Sequence, residues 1–144
     1  MQATARTLAA TPRERLLGSW PAVAASVSDA RRAVVDHASR LGATPAALAA
    51  VELAVSEAVT NAVQHAYPDL RTPGPVTLTG ELADGALVIV VADGGLGMRP
   101  RPDSPGLGLG LPLISQMTQS FEVHEAPGGG TVLSMRFDLA RGQL

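Results

Sequence analysis

The chain has 144 residues, enough for one domain with a real core, and its 46% hydrophobic and 17% charged content is that of a globular protein rather than a disordered one. The formal net charge of -2 offers no electrostatic footprint for nucleic acid, and the absence of cysteine excludes disulfides and thiolate metal sites. All eleven basic residues are arginines, so any phosphate-binding loop that depends on a lysine is excluded as well.

Residues 1–12 read as a loose arm, and 13–144 as the single domain. No stretch is expected to approach the roughly 18 apolar residues of a membrane span, which leaves the cytoplasm as the expected location, with no membrane partner. Glu14–Trp20 is expected to form a first strand that stops at Pro21. Ser26 or Ser28 can cap a helix that runs to about Leu41 and is ended by Gly42. A second helix starts after Thr44, with Pro45 at its first position, and runs to about His65. Its Leu48, Val51, Val55, Ala58, Val59, Ala62 and Ala66 recur at helical spacing and form the expected buried stripe. Ser56, Glu57, Thr60, Asn61, Gln64 and His65 are expected on the other face.

Val76–Leu82 alternates as a strand should, Asp84-Gly85 is a hairpin turn pair, and Leu87–Ala92 is a nearly continuous apolar run suited to the centre of a sheet. That run ends in Asp93-Gly94-Gly95-Leu96-Gly97. Pro100, Pro102 and Pro105 make the next segment a loop. Gly106-Leu107-Gly108-Leu109-Gly110-Leu111 leads into a third helix, with Leu113, Ile114 and Met117 on one side. Phe121–Glu125 and Thr131–Leu139 close the chain as strands joined at Pro127–Gly130. This order predicts an α/β (α+β) two-layer sandwich, with a mixed, mostly antiparallel sheet and the helices on one face.

Four places carry candidate chemistry. Glu57, Asn61 and His65 stand four residues apart, and four residues advance about 40° round a helix, so they form one row. An Asn61 amide oxygen is a hard ligand suited to Mg²⁺, and Glu57 one turn earlier can accept a proton from a hydroxyl or water. The same three residues are also ordinary occupants of a solvated helix face. Asp93 closes the most apolar strand, where a carboxylate needs donors. An adenine amino group is one donor it could serve, with Gly95 and Gly97 admitting the base, and a tight Asp-Gly turn is the other reading. The run Gly106, Gly108, Gly110, Leu111 follows no strand directly, which argues against the dinucleotide fingerprint. It reads either as a flexible connector or as a mobile lid whose end offers free N–H groups to phosphates at a helix N-terminus. Gly130-Thr131 reads first as turn chemistry.

Taken in order, SEAVTNAVQHAY, DGGLG, GLGLGL and GGGT resemble the nucleotide-binding boxes of the GHKL ATPase/kinase superfamily. Within it, the chain is most similar to the anti-sigma-factor serine/threonine kinases of bacterial partner-switching systems, over roughly residues 13–138. The resemblance implies a GHKL-type fold with ATP and Mg²⁺ as cofactors, Glu57 as catalytic base and Asn61 as the Mg²⁺ residue. It further implies that Asp93 reads adenine, that Gly95 and Gly97 line the base pocket, that Gly106, Gly108, Gly110 and Leu111 meet the phosphates, and that His65 and Thr131 belong to the nucleotide site. Such kinases phosphorylate an anti-anti-sigma partner, sequester a sigma factor and are usually homodimers. The chain departs from the family pattern in two places. Its segment between the glycine boxes is short and proline-rich, and Ser104-Pro105 stands where an arginine often precedes the second box, with Arg99 and Arg101 nearby.

Overall fold

The computed structural model describes residues 14–67, 72–95 and 110–140. Strand β1 (Arg15–Pro21) leads into helix α1 (Ala24–Arg40) and helix α2 (Pro45–His65), followed by the hairpin β2 (Pro75–Ala83) and β3 (Ala86–Asp93). Helix α3 (Gly110–Met117), β4 (Ser120–Glu125) and β5 (Thr131–Asp138) complete the described part. The strands form one sheet in the order β1-β2-β3-β5-β4. Each neighbouring pair is antiparallel, so the mixed sheet allowed by the sequence resolves to a wholly antiparallel one among the described residues. The element order expected from the sequence is the one observed, and β3 lies at the centre of the sheet.

Local chemistry explains most of the boundaries. Asp84 and Gly85 both take positive φ, 54° and 79°, which a two-residue hairpin between the Ala83–Ala86 pair requires. Gly42, at φ 88°, ends α1, with its N–H on the Ser39 carbonyl. The Thr44 hydroxyl caps α2 by accepting from the Ala47 N–H at 3.2 Å, and the Thr44 N–H reaches the Leu139 carbonyl at 3.0 Å, tying the helix start to the end of β5.

The start of α1 departs from expectation. Neither Ser26 nor Ser28 caps it: the N-cap is Val23, which makes no side-chain cap bond. Backbone contacts set the start instead. Ala22 N–H donates to the Gly74 carbonyl at 3.0 Å and Ser26 N–H to the Val23 carbonyl at 2.9 Å, so the helix begins once the end of β1 is tied to the approach to β2. Ser26 is left buried inside the first turn.

One face of the sheet is covered. Val76, Leu78, Leu87, Ile89, Val91, Leu133, Met135 and Phe137 pack under Val34, Val51, Val55 and Val59 of the helices. Each fully buried aliphatic side chain of this kind contributes about 1.5–3 kcal/mol of transfer free energy. Helix α2 is the central piece, in contact with α1, with α3 and with the sheet. By length and composition it could cross a membrane, which corrects the expectation that no stretch comes close. Half of the qualifying window is buried inside the protein, and a core helix packed on three sides must be this apolar.

Candidate functional site

The end of α2, the end of β3 and the start of β5 meet at one place. Asp93 is the last residue of β3, opposite Val76 of β2 on one side and Thr131 of β5 on the other. Its Oδ1 accepts from the Gly95 N–H at 3.0 Å, and its carboxylate also takes a backbone hydrogen bond from Thr131. Burial pushes the Asp93 carboxyl above its usual range, while the Gly95 and Thr131 N–H groups pull the other way and do not fully offset it. A carboxylate has room for about four donors. Two backbone N–H groups therefore leave capacity for the amino group of a ligand. The tight-turn reading and the donor-seeking reading of Asp93 thus describe the same carboxylate.

The glycines around it are required by close backbone packing. A Cβ on Gly95 would lie 1.9 Å from the Ala66 carbonyl oxygen at the end of α2. A Cβ on Gly130, whose φ is 94°, would lie 2.1 Å from the Asp93 carbonyl oxygen. Three chain segments are thereby held backbone against backbone, with Thr131 buried beside them.

Tyr67 was given no role by sequence reasoning. Its hydroxyl donates to the Pro75 carbonyl and accepts from the Gly94 N–H, both at 2.8 Å. The available signal was that the chain has a single tyrosine among very few aromatics, placed just after the most distinctive helix.

On α2 the expected row needs one correction. Glu57, Asn61 and His65 were placed on the face opposite the apolar stripe, but Asn61 is only 5% exposed, and Glu57 and His65 are half-buried. The reason is that α1, α3 and the sheet cover most of the helix circumference, leaving Glu52, Leu53 and Gln64 as the exposed positions around them. The Nδ2 of Asn61 is buried and makes no hydrogen bond. Such an omission costs about 1–3 kcal/mol and calls for an explanation. The same amide carries an oxygen, a hard ligand of the kind that a divalent cation takes when it keeps most of its own waters. Glu57 lies one helical turn before Asn61, partly open to solvent.

Gly110 is the first residue of α3, and Leu111, the second, is half-buried against the core. Gly97, Gly106 and Gly108 lie outside the described residues, as do Arg99, Arg101, Ser104 and Pro105. The structure thus brings Asp93, Gly95 and Thr131 together at the end of the helix that carries Glu57, Asn61 and His65.

A family model for the histidine kinase-like ATPase domain matches residues 20–137. The chain is 32% identical over 117 residues to an anti-sigma F factor of Pasteuria penetrans, with 74% of this chain and 78% of that protein covered. It is 35% identical over 120 residues to an anti-sigma F factor of Clostridium acetobutylicum, covering 76% and 82%. It is also 32% identical over 123 residues to the serine-protein kinase RsbW of Staphylococcus aureus, covering 75% and 77%. Among solved structures, that of the RsbU and RsbW domains of Rv1364c from Mycobacterium tuberculosis superposes with a TM-score of 0.63 at 21% identity, over 87% of this chain and 32% of the other. At that identity the likeness speaks for the fold.

Proposed function

The chain belongs to the histidine kinase-like ATPase domain family, and from that premise we propose that it is a Mg-ATP-dependent protein serine/threonine kinase of the anti-sigma type. It would bind a sigma factor, phosphorylate an anti-anti-sigma partner, or do both, as a cytoplasmic homodimer. The observation that carries the reading is the buried Asn61 amide with an unmade hydrogen bond, on the helix whose end packs against the turn that follows the half-buried Asp93 carboxylate. A cation ligand and a base-reading acceptor are what an adenine nucleotide with its metal needs at its two ends. The names of the curated relatives support the regulatory role.

In this reading Asp93 accepts the adenine amino proton, with Thr131, Gly95 and Gly97 around the base. Asn61, with His65 one turn on, faces the metal side. Mg²⁺, when bound, neutralises phosphate charge that a lysine-free chain cannot meet with a lysine. The N–H groups at the start of α3, from Gly110 and Leu111, together with Gly106 and Gly108, serve the phosphates. Glu57 orients the partner hydroxyl and accepts its proton as the oxygen attacks the terminal phosphorus, whose bond to the bridging oxygen breaks to release ADP. A second reading is a non-catalytic ATP-binding switch that engages a protein partner without transfer. It is favoured by the short proline-rich segment and by Ser104-Pro105 in place of an arginine.

Glu57→Gln separates the two. Glutamine keeps size and helix propensity but cannot accept a proton at neutral pH. The partner is first captured from the native lysate with and without ATP, and transfer is then followed with radiolabelled ATP. The variant should bind ATP and partner as wild type does while transfer falls by roughly 10²-fold or more. Equal labelling by both proteins would remove Glu57 from its role. No labelling by wild type would leave the switch.

A further inference from the structure

We infer that Tyr67 is a positioning residue for base selection, holding the Asp93 carboxylate in place by bridging Gly94 to Pro75. This inference rests on the reading of Asp93 given above.

The register of the β2–β3 ladder ends at the Val76–Asp93 pair. One step further, Pro75 stands opposite Gly94. Those two residues would form the next rung, in which proline has no N–H to donate, so that only the bond from Gly94 N–H to the Pro75 carbonyl is open to it. The Tyr67 hydroxyl occupies the rung instead, accepting from Gly94 N–H and donating to the Pro75 carbonyl at 2.8 Å each. A side chain from just beyond the end of α2 therefore bridges the end of the β2–β3 ladder at the point where the chain leaves β3.

The inserted hydroxyl separates the two strands and directs Gly94-Gly95 toward α2. There the backbone of Gly95 meets the Ala66 carbonyl, the residue just before Tyr67. The turn is thus held at consecutive positions, Gly94 by the Tyr67 hydroxyl and Gly95 by the Ala66 backbone. Gly95 in turn donates its N–H to Asp93 Oδ1 at 3.0 Å. The Gly95 N–H is one of the two backbone donors that aim the carboxylate, with Thr131 as the other, and its own place depends on where the turn is pinned. The ring has a prepared seat: a Cβ on Gly74 would lie 2.8 Å from its Cε1, Cζ and hydroxyl atoms, so a glycine is needed there. Asn61 lies on the same helix, so one rigid element fixes both the metal side and the base side of the site.

The test compares ATP with inosine triphosphate, each with Mg²⁺, by calorimetric titration. Inosine replaces the amino donor of adenine with a carbonyl, so its binding gains nothing from a correctly aimed carboxylate. Tyr67→Phe keeps the ring and removes the hydroxyl. The ATP-to-ITP affinity ratio should fall by about 3–10-fold, the scale of losing one net hydrogen bond, with ITP affinity nearly unchanged. A purely structural tyrosine would weaken both nucleotides equally, and an unchanged ratio overturns the inference. In an Asp93→Asn background the second substitution should leave the ratio where Asp93→Asn put it. A further drop there would mean that Tyr67 acts by some other route, and it also overturns the inference. Should Tyr67→Phe fail to fold by circular dichroism, Gly74→Ala displaces the ring and is read in the same way. Wild type that binds ATP and ITP equally would defeat the Asp93 reading and this inference together. A wild-type preference that survives Tyr67→Phe undiminished defeats this one alone.

Discussion

Asp93 shows how one side chain can cost stability and, in the proposed function, supply recognition. Its carboxyl is pushed up by burial, so the folded protein favours the neutral form more than the unfolded chain does. The sign follows: the group supports folding below its unfolded value near 3.8, and that support is lost as pH rises through the raised folded value. At neutral pH the charge is therefore a burden on the fold. Asp93→Asn keeps an oxygen for the Gly95 N–H and removes the charge. We expect a melting temperature equal to wild type or up to about 4 °C higher. ATP and ADP affinity should both drop by about 10-fold or more, the scale of losing a hydrogen bond to a charged acceptor. Thermal melts and calorimetry on one preparation test both halves. A melting temperature several degrees lower would make the carboxylate a structural group instead. Asn61 differs in kind, because its unpaired amide is buried on the main core helix and has no charge to shed.

Among the elements, α2 separates what supports the fold from what aims the site. Its start is capped by Thr44, and its end is pressed against Gly95. Thr44→Ala removes a cap at the end away from the Asp93 turn, so it should cost about 1 kcal/mol in denaturant unfolding and leave nucleotide affinity unchanged. Gly95→Ala places a methyl group 1.9 Å from the Ala66 oxygen, which backbone cannot yield without moving the turn, so nucleotide affinity should fall along with stability. A Gly95→Ala protein with wild-type affinity would show that the turn is not tied to α2 as described. The same helix marks the boundary of what the sequence made legible. Thr44-Pro45, Gly42 and Asp84-Gly85 act through neighbours a few residues away, and each element they bound was expected. The Val23 start of α1 depends on Gly74, and the place of Tyr67 depends on Gly94, 27 residues distant. The burial of Asn61 depends on how many elements surround α2, which helical spacing alone does not encode. Of the candidate site, the one-dimensional motifs were legible, while the bridge that joins them was not.

At the scale of the whole molecule, the end of the sheet opposite Asp93 carries a different titratable group. His37, in the last turn of α1, is buried over Gly80 of β2, where a Cβ would lie 3.1 Å from the imidazole. Gly80 is paired with Arg15 of β1 and lies four residues along β2 from Val76, the partner of Asp93, about 13 Å away. A helix C-terminus favours a cation. Burial, with Arg15 and then Arg40 nearby, outweighs that and lowers the His37 pKa. A base whose folded pKa is depressed supports folding above its unfolded value, near 6.5, and that support is lost as pH falls toward the folded value. Asp93 has the opposite slope, in a window that starts lower, near 3.8. The His37 contribution to the unfolding free energy should therefore decline as the pH is lowered from about 6.5, while that of Asp93 changes in the opposite sense. His37→Gln removes this titration without adding charge, so its stability profile should be flatter than that of wild type between about pH 6.5 and 5. Urea unfolding across that range measures the difference. The distance from Asp93 adds a second requirement: ATP affinity at neutral pH should be the same in both proteins. A His37→Gln profile that declines as steeply as wild type would assign the acid sensitivity to another group.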